Sequence, residues 1–359
     1  MTDVPLTAND ITYDWLKETV EAALPGSELT AMHVDANVGD LGYLGTIGRI
    51  NLEYASPNGF PASMIVKFPA TDSAVLEQGQ QLGAYASEVN FYKHMANKGV
   101  GQAPRYYLSV VQPGSGEEVV FIEDLGDLRF VSQTEGAKLN DSLNVMKALA
   151  KLHGEHWGST SLEDTWLGDI SDWGRNNMPL MERGLPLFKE NFVRYFDKDY
   201  AELFDVGVLL YPRVLDRLSA QRCTLMHGDT HIRNVAFDDA REDPVRFYDW
   251  QLCCRGPAAY DVLYYMVNSL APEDQEAWLD QLLETYLDAL HEYVPDFDMA
   301  ELHREMGYCC LTFWGFTAWL GNILPPNEAT HALVEASVPR YMNLMNKFDA
   351  YHLVNEFRD

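Results

Sequence analysis

Residues 225–250 read LMHGDTHIRNVAFDDAREDPVRFYDW, and this stretch determines how the rest of the chain is interpreted. An apolar lead-in precedes the triplet His227-Gly228-Asp229, Asn234 follows the aspartate by five positions, and Asp249 follows the asparagine by fifteen. Short apolar runs on either side of a turn predict two strands, and the second of them ends at Asp249. We therefore expect a chain reversal to return Asp249 to the loop that carries Asp229.

Two carboxylates and one amide at these intervals suit the transfer of a phosphoryl group. That reaction needs a carboxylate that orients and deprotonates the attacking hydroxyl, and oxygen ligands that hold Mg²⁺ on the phosphates. Asp229 fits the first role, whereas Asn234 and Asp249 fit the second as a neutral and an anionic oxygen donor. The protein-kinase catalytic loop has the same interval between its aspartate and its asparagine. A chance cluster of carboxylates is the alternative, which the structural context has to decide.

The loop HGDTHIRN, followed by YDWQ, resembles the aminoglycoside phosphotransferase and choline kinase-like superfamily of small-molecule kinases, and in particular its ecdysteroid kinase-like branch. Those families share the pattern HGDxHxxN and a metal-binding aspartate that opens a D-[WF]-x triplet. Protein kinases have a glycine where Gln251 stands, which argues against protein-kinase activity. The resemblance implies an α+β, two-lobed, protein-kinase-like fold, with a small antiparallel-sheet N-lobe at residues 1–125 and a larger, mostly helical C-lobe at residues 126–359. It also implies ATP and Mg²⁺ as cofactors.

A glycine-rich turn, residues 39–45, lies between two predicted strands and has the pattern G-x-x-G-x-x-G. Kinase-like folds cover the phosphates of ATP with such a turn, because backbone N–H groups approach closely only where no Cβ intervenes. Gly42 and Gly45 are therefore candidate nucleotide-binding residues. An ordinary hairpin loop is the alternative.

Lys67 lies inside the apolar strand candidate Ser63–Phe68, although lysine is rarely buried without a partner. The resemblance implies that Lys67 contacts the α- and β-phosphates and pairs with Glu88, in a helix predicted over residues 85–95. A lysine on a solvated strand face and an acid on a helix surface are the alternatives.

The segment FIEDLG at residues 121–126 resembles the hinge of these families. The resemblance implies that adenine contacts the backbone there, which makes Glu123 and Leu125 candidate nucleotide-binding residues. The boundary between the lobes is placed at this segment by the same analogy.

Four features of the predicted C-lobe yield further expectations. His153, on an apolar helical stripe, is interpreted as a packing residue. The interval from Gly256 to Asp261 resembles the G-x-x-x-x-D pattern of the same families, and by analogy Asp261 is expected to anchor the catalytic loop. Residues 166–186, rich in Trp, Gly, Asn and Pro, predict an irregular segment. Met306–Leu324 contains no charged residue, which is typical of either a membrane span or a buried helix; its glycines, threonines and flanks favour a single buried helix.

The balance of 26 basic against 54 acidic residues gives a net charge of −28. A field of that sign repels nucleic acid and anionic membranes, so neither is expected as a partner. The first residues show no basic and apolar leader, and the five cysteines contain no C-x-x-C pair, so a cytoplasmic protein with reduced thiols is expected.

The sequence as a whole predicts an ATP- and Mg²⁺-dependent phosphotransferase that acts on a hydroxyl group of a small molecule. The acceptor is an apolar or steroid-like alcohol, or an amino alcohol. An aminoglycoside-type phosphotransferase and a catalytically silent, ATP-binding pseudokinase are the alternatives. Four tryptophans, at positions 166, 173, 314 and 319, either line the acceptor site or belong to the core.

Overall fold

The computed structural model describes residues 4–36, 38, 44–57, 59–132, 136–159 and 166–358. The chain forms two compact units. The first comprises Met1–Arg129, Ala236–Ala240 and Arg246–Leu252, and the second comprises Phe130–Val235, Arg241–Val245 and Cys253–Asp359.

The first unit is built on a five-stranded antiparallel sheet. Its strands are β1 (Leu29–Asp35), β2 (Gly45–Tyr54), β3 (Ser63–Pro69), β4 (Tyr106–Val111) and β5 (Glu118–Glu123), in the spatial order β1-β2-β3-β5-β4. Along β3 the side chains of Met64, Val66 and Phe68 enter the hydrophobic core. Because successive side chains of a strand point to opposite faces, this alternation directs Lys67 away from that core.

Three helices accompany the sheet. They are α1 (Tyr13–Ala23), α2 (Ser73–Leu82) and α3 (Ala84–His94). Thr12 caps α1 by accepting a hydrogen bond from the Trp15 N–H, and Trp15 is buried in the same core as β3. Gly83, between α2 and α3, has a φ of 68°, a left-handed conformation that glycine adopts without strain. The chain changes direction at this residue, and α3 begins at the next one. The helix α3 then presents Glu88 and Phe91 on its buried side.

The second unit is mostly helical. Its helices are α4 (Leu139–Glu155), α5 (Ile170–Asn191), α6 (Lys198–Ser219), α7 (Ala258–Ser269), α8 (Pro272–Leu290), α9 (Met299–Cys310), α10 (Phe313–Leu320), α11 (Glu328–Lys347) and α12 (Ala350–Leu353). This unit also contains the strands β7 (Cys223–Met226) and β10 (Cys254–Pro257), whereas β6 (Arg129–Phe130), β8 (Val235–Phe237) and β9 (Val245–Phe247) each contain residues assigned to both units. β7 pairs antiparallel with β10, and β6, β8 and β9 form a sheet in the order β6-β8-β9.

The expectation of an irregular segment at residues 166–186 is wrong, because α5 begins at Ile170. The glycines that suggested a loop are positions of close helix packing. A Cβ on Gly184 would lie 2.0 Å from the carbonyl oxygen of Ala318 in α10, and one on Gly174 would lie 1.8 Å from Leu215 in α6. These glycines therefore allow α5 to pack closely against α6 and α10, and they do not interrupt α5.

The uncharged segment Met306–Leu324 is buried as expected, but it is not one helix. It begins within α9, breaks at Leu311 and Thr312, and continues as α10. Within the described part of the chain, no helix combines the length and the apolar character that crossing a membrane requires.

The predicted fold class is confirmed. One unit carries a small antiparallel sheet and the other is predominantly helical, as in kinase-like folds. The division of the chain at residues 125 and 126 stays a prediction.

Candidate active site

Lys67 contacts two carboxylates within the first unit. It forms an ion pair with Glu88 of α3, and its Nζ donates to Asp249 Oδ1 over 2.8 Å. The side chains of Lys67 and Glu88 are only 15% and 5% exposed. The structure thus brings together Lys67 and Glu88, which the sequence paired, and it adds Asp249 to them. Lys67 is not on a solvated strand face, and Glu88 is not a surface acid.

The charges around Lys67 shift the pKa values of Lys67 and Glu88. Burial lowers the pKa of the Lys67 ammonium, but Asp249 and Glu88 outweigh that effect, and the pKa lies above its ordinary value. Burial raises the pKa of Glu88, and the ammonium of Lys67 opposes the rise. One ammonium faces two carboxylates, so the group attracts a further cation.

Asp249 and the two residues after it are fixed by contacts within the same unit. Asp249 has a φ of 66°, a conformation that costs a non-glycine residue about 1 kcal/mol. The ring of Trp250 stacks on Phe91, with centroids 3.7 Å apart and planes 7° from parallel. Gln251 Nε2 donates to Glu88 Oε2 over 3.3 Å. Because Phe91 and Glu88 both belong to α3, this helix holds the segment that carries Asp249.

The predicted hinge residues are Glu123 and Leu125. The carboxylate of Glu123 accepts from Arg246 Nη2 at 2.6 Å, from Arg246 Nη1 at 3.0 Å and from the Arg105 N–H at 3.0 Å. Burial raises the pKa of Glu123, but the bonds from Arg246 and Arg105 outweigh it and the net pKa is lowered. Leu125 is buried. The side chain of Glu123 is thus engaged in the fold, as is its backbone N–H, which donates to the Arg105 carbonyl oxygen at 2.8 Å. The roles of Glu123 and Leu125 toward a nucleotide stay predictions.

Of the two predicted glycines, Gly42 lies outside the described residues, as do its neighbours from 39 to 43. Gly45 is the first residue of β2 and pairs with Pro69 of β3. A Cβ at Gly45 would lie 2.2 Å from the carbonyl oxygen of Phe68. Strand packing therefore requires a glycine at this position, and the role of Gly45 toward a nucleotide stays a prediction.

In the second unit, Asp261 of α7 fixes the backbone of the loop HGDTHIRN. Its carboxylate accepts from the N–H groups of His227 at 2.7 Å and of Gly228 at 2.9 Å. Gly228 has a φ of 81°, which favours glycine over any residue with a Cβ. His153 is fully buried, and its ring nitrogens contact Tyr286 Oη at 2.9 Å and Asp261 Oδ2 at 3.2 Å. Asp261 thus anchors the loop, and His153 packs behind it, as the sequence indicated.

Asp229 is held by two side chains of this unit. Asn234 Nδ2 donates to its Oδ2 at 2.9 Å, and His231 Nε2 lies 3.5 Å from the same oxygen. Burial raises the pKa of Asp229, but His231, with smaller effects from His227 and Tyr264, outweighs it and lowers the pKa to about 2. The carboxylate is therefore ionised at neutral pH and can accept a hydrogen bond from a hydroxyl group.

Asn234 ends a short 3₁₀ turn that begins at Ile232, and it is buried. Its Nδ2 donates both to the backbone oxygen of Asp229 and to the carboxylate, at 2.9 Å each. These bonds commit the amide nitrogen, so the amide oxygen is the atom that Asn234 can offer to a cation.

The donors that the sequence assigned to Mg²⁺ fit that ion. Mg²⁺ prefers oxygen ligands and usually takes only one or two from a protein, with water and phosphate completing its shell. Asn234 can supply an amide oxygen. Asp249 can supply Oδ2, since its Oδ1 accepts from Lys67. No cluster of three or more His, Cys, Asp or Glu side chains suited to a metal occurs among the described residues.

The residues around Lys67 and those around Asp229 all lie in the part of the chain that one family model matches. The model of the ecdysteroid kinase-like family covers residues 39–298, which is more than half of the chain. The chain belongs to the ecdysteroid kinase-like family. The predicted recognition is thereby confirmed, down to the branch of the superfamily that the loop HGDTHIRN resembles.

Solved structures of small-molecule kinases resemble this family member in fold. Choline kinase LicA from Streptococcus pneumoniae shares 12% sequence identity, with a TM-score of 0.53 over 94% of this chain and 99% of LicA. The microcompartment-associated aminopropanol kinase shares 14%, with a TM-score of 0.53 over 97% and 99% of the two chains. The GDP complex of aminoglycoside 2'-phosphotransferase-IIIa shares 11%, with a TM-score of 0.52 over 95% and 100%. LicA was also solved in complex with AMP, and that structure matches with a TM-score of 0.51. No curated protein sequence matches the chain.

Sequence reasoning missed two side chains of this ecdysteroid kinase-like protein. Gln251 was noted only as a departure from protein kinases, and Tyr264 was not singled out. Tyr264 follows Asp261 by three positions on α7, so both side chains emerge on one face of the helix. That interval was the one available signal, because it places a phenol beside the residue that anchors the loop.

Proposed function

We propose that this protein is an ATP- and Mg²⁺-dependent phosphotransferase that phosphorylates a hydroxyl group of a small molecule. The observation that carries the proposal is the environment of Asp229, a carboxylate kept ionised and held by Asn234 and His231. The Lys67–Glu88–Asp249 group supports it, because it supplies a fixed cation for phosphate oxygens beside a spare carboxylate oxygen. The nucleotide complexes of LicA and of the aminoglycoside phosphotransferase support the use of a nucleotide.

In the proposed reaction, Asp229 accepts a hydrogen bond from the acceptor hydroxyl and so directs its oxygen toward the γ-phosphorus of ATP. A bond forms between that oxygen and phosphorus, and the bond from phosphorus to the bridging oxygen breaks. ADP leaves with the electron pair, and Asp229 takes up the proton of the hydroxyl. Lys67 stabilises the negative charge on the phosphates, with Glu88 holding the ammonium in place.

Asn234 and Asp249 are assigned to Mg²⁺ on the sequence motif and on the chemistry of their oxygens. When bound, Mg²⁺ would neutralise charge on the phosphates. The glycine-rich turn at residues 39–45 is assigned to cover those phosphates, and the backbone of Glu123 and Leu125 to contact adenine. These assignments rest on the family resemblance.

A depression in the second unit is lined by uncharged side chains. The open depression measures about 280 Å³, but the space enclosed within it is about 10 Å³, close to that of one water molecule. The residues that line it are Tyr260, Leu263, Tyr264, Asn268, Thr312, Phe313, Phe316 and Tyr341. None of these eight described residues is charged, whereas a polycationic aminoglycoside would need carboxylates to replace its lost hydration. The apolar lining supports an apolar or steroid-like alcohol as the proposed acceptor, ahead of an amino alcohol, but only a small part of such an acceptor fits the enclosed space.

The first test is ADP formation from Mg-ATP with a panel of sterols, polyols, amino alcohols and aminoglycosides. We expect turnover with an uncharged ring alcohol. The Asp229→Asn variant should lose nearly all of that turnover while it still binds ATP, and Asp249→Ala should lose the Mg²⁺ dependence of nucleotide binding. Loss of ATP affinity with normal turnover in Asp229→Asn would reverse the role assigned to Asp229. An inactive native protein that still binds ATP would point to a pseudokinase instead.

A further inference from the structure

The helix α7 holds the loop HGDTHIRN at more than its beginning. There the Asp261 carboxylate accepts the two backbone bonds described above. At the centre of the loop the Thr230 hydroxyl donates to the backbone oxygen of Asp261 over 2.7 Å. Toward its end the N–H of Ile232 donates to Ser269 Oγ over 3.0 Å. Thr230 and Ile232 occupy variable positions of the pattern HGDxHxxN, so the motif itself did not indicate these contacts.

Ser269 is the last residue of α7 and is only 2% exposed. Its backbone oxygen accepts from the Ala137 N–H at 3.0 Å, which ties the end of α7 to the segment before α4. Asp261 lies eight positions earlier in the same helix, a separation of about 12 Å along the axis. One helix therefore sets the distance between the two points at which the beginning and the end of the loop are held.

The bond from Ile232 to Ser269 fixes the 3₁₀ turn that ends at Asn234. The first N–H groups of a helical turn have no acceptor within the turn, so another part of the protein has to supply one. Ser269 Oγ supplies it for Ile232, which is completely buried and so not reached by water. Within the turn, the Asn234 N–H donates to the His231 carbonyl oxygen at 2.8 Å. The position of the whole turn thus depends on the end of α7.

Asn234 is the residue of this turn that carries chemistry in the proposed function. Its Nδ2 donates to the backbone oxygen and to the carboxylate of Asp229, so the direction of the amide is set by those two bonds and by the place of the turn. Mg²⁺ demands near-ideal octahedral geometry, with ligand oxygens at about 2.0–2.1 Å. A small displacement of the amide oxygen therefore costs affinity for the ion.

We propose that Ser269 is a positioning residue for the metal ligand, because its hydroxyl fixes the turn Ile232–Asn234 and so sets the place of the Asn234 amide oxygen. This inference rests on the proposed function, in which Asn234 binds Mg²⁺. Ser269 itself contacts neither the ion nor the acceptor. Loss of its hydroxyl should change the concentration of Mg²⁺ that the protein requires, and it should leave the rate at saturating Mg²⁺ nearly unchanged.

The test uses the full chain and the non-hydrolysable analogue AMP-PNP, whose binding is measured over a series of Mg²⁺ concentrations. In Ser269→Ala the Mg²⁺ concentration for half-maximal effect on binding should rise about tenfold. ADP formation from ATP with the alcohol panel should show the same rise, whereas kcat at saturating Mg²⁺ should stay within about twofold of native. Ser269→Cys keeps the shape and a weaker acceptor, so it should show a smaller rise, and it replaces the alanine variant if that protein does not fold.

Ser142→Ala is the matched control. Ser142 lies on α4 and is completely buried, and its hydroxyl bonds to Tyr265 Oη at 3.1 Å and to the Lys138 carbonyl oxygen at 3.0 Å, not to the loop. This variant loses the same buried hydroxyl, and its Mg²⁺ requirement should stay within about twofold of native. Thermal unfolding of both alanine variants separates a loss of folded protein from a change in metal affinity.

A double-mutant cycle with Asn234→Ala tests the route of the effect. If Ser269 acts through Asn234, then Ser269→Ala should cause little further change in Mg²⁺ requirement once the amide is absent. A full additional change in that background would show that Ser269 acts elsewhere. An unchanged Mg²⁺ requirement in Ser269→Ala, or an equal rise in Ser142→Ala, would also overturn the inference.

These outcomes leave the proposed function standing. If the native protein binds AMP-PNP with Mg²⁺ but forms no ADP with any alcohol of the panel, the proposed function fails, and the binding measurements still decide the role of Ser269. If native binding does not respond to Mg²⁺ at all, both the proposed function and the inference fail.

Discussion

Gln251 donates from Nε2 to Glu88 Oε2 over 3.3 Å, and Lys67 bonds to the other oxygen of that carboxylate. Glu88 is 4% exposed, so water is nearly excluded from it. Burial raises the pKa of Glu88, and both Lys67 and Gln251 oppose that rise. Gln251 stands where protein kinases have glycine, and here it helps to keep Glu88 ionised and directed at Lys67.

Replacing Gln251 by leucine should weaken ATP binding about tenfold, because an unsatisfied oxygen on Glu88 favours its protonation and releases Lys67. Titration of the protein with a non-hydrolysable ATP analogue measures the effect. The matched control is Gln81→Leu, which breaks an exposed amide-to-carboxylate bond of equal length, 3.3 Å to Glu77. Equal affinities in the two variants would show that Gln251 does not act through Glu88.

The substitution Gly101→Ala should destabilise the protein by about 2–4 kcal/mol. Gly101 has a φ of 59°, and a Cβ there would lie 2.5 Å from Cζ2 of Trp250, which is stacked on Phe91. The control Gly99→Ala has a similar backbone, with a φ of 85°, but open space around its Cβ, so it should cost only about 1 kcal/mol. Urea denaturation of both variants isolates the contribution of the Trp250 ring. Equal urea midpoints for Gly101→Ala and Gly99→Ala would contradict the close contact between Gly101 and the Trp250 ring.

The substitution Asp261→Asn should lower stability by about 2–4 kcal/mol and reduce turnover together with it. A neutral amide presents a donor where His227 and Gly228 need an acceptor, and the site is fully buried. Asp216→Asn is the comparison. Its carboxylate pairs with Arg175 but is 56% exposed, so the loss should stay below about 1 kcal/mol. Chemical denaturation and steady-state turnover report the two effects. A fully active Asp261→Asn variant would contradict the anchoring role.

Glu305 should make the stability fall as the pH rises. It is 3% exposed, neither carboxylate oxygen has a hydrogen-bond partner among the described residues, and burial, with Glu301 adding to it, raises its pKa to about 8. The folded protein then holds a proton that the unfolded chain releases near its ordinary pKa of 4.5. The favourable contribution is complete below that value and is lost as the pH rises through about 8.

The Glu305→Gln variant removes that titration and keeps the shape of the side chain. Between pH 5 and pH 8 the native protein should lose up to about 4 kcal/mol relative to this variant. Denaturation midpoints at several pH values measure the difference. Glu335→Gln, which removes an exposed carboxylate from α11, should follow the native pH dependence. A Glu305→Gln curve parallel to the native curve would show that Glu305 is ionised in the folded state.

The sequence by itself determined the family and the fold class, because local patterns carry that information. The intervals within HGDTHIRN are set by the chemistry of the loop, and the alternation along Ser63–Pro69 shows which side of β3 is apolar. The role of Asp261 was also accessible, since its interval from Gly256 follows the family pattern. The roles of Asp229, Asn234 and Asp249 in catalysis stay predictions that the proposed experiments test.

Only the tertiary structure decided which side chains complete the groups around Lys67 and Asp229. Glu88 and Gln251 are 163 positions apart, and no local interval relates them. The depression in the second unit has walls that come from three separate parts of the chain. The glycines of residues 166–186 suggested a loop, yet they lie within a helix, because Ala318 and Leu215 approach where a Cβ would not fit. Contacts of this kind depend on how distant segments pack, and packing is not encoded in the spacing of neighbouring residues.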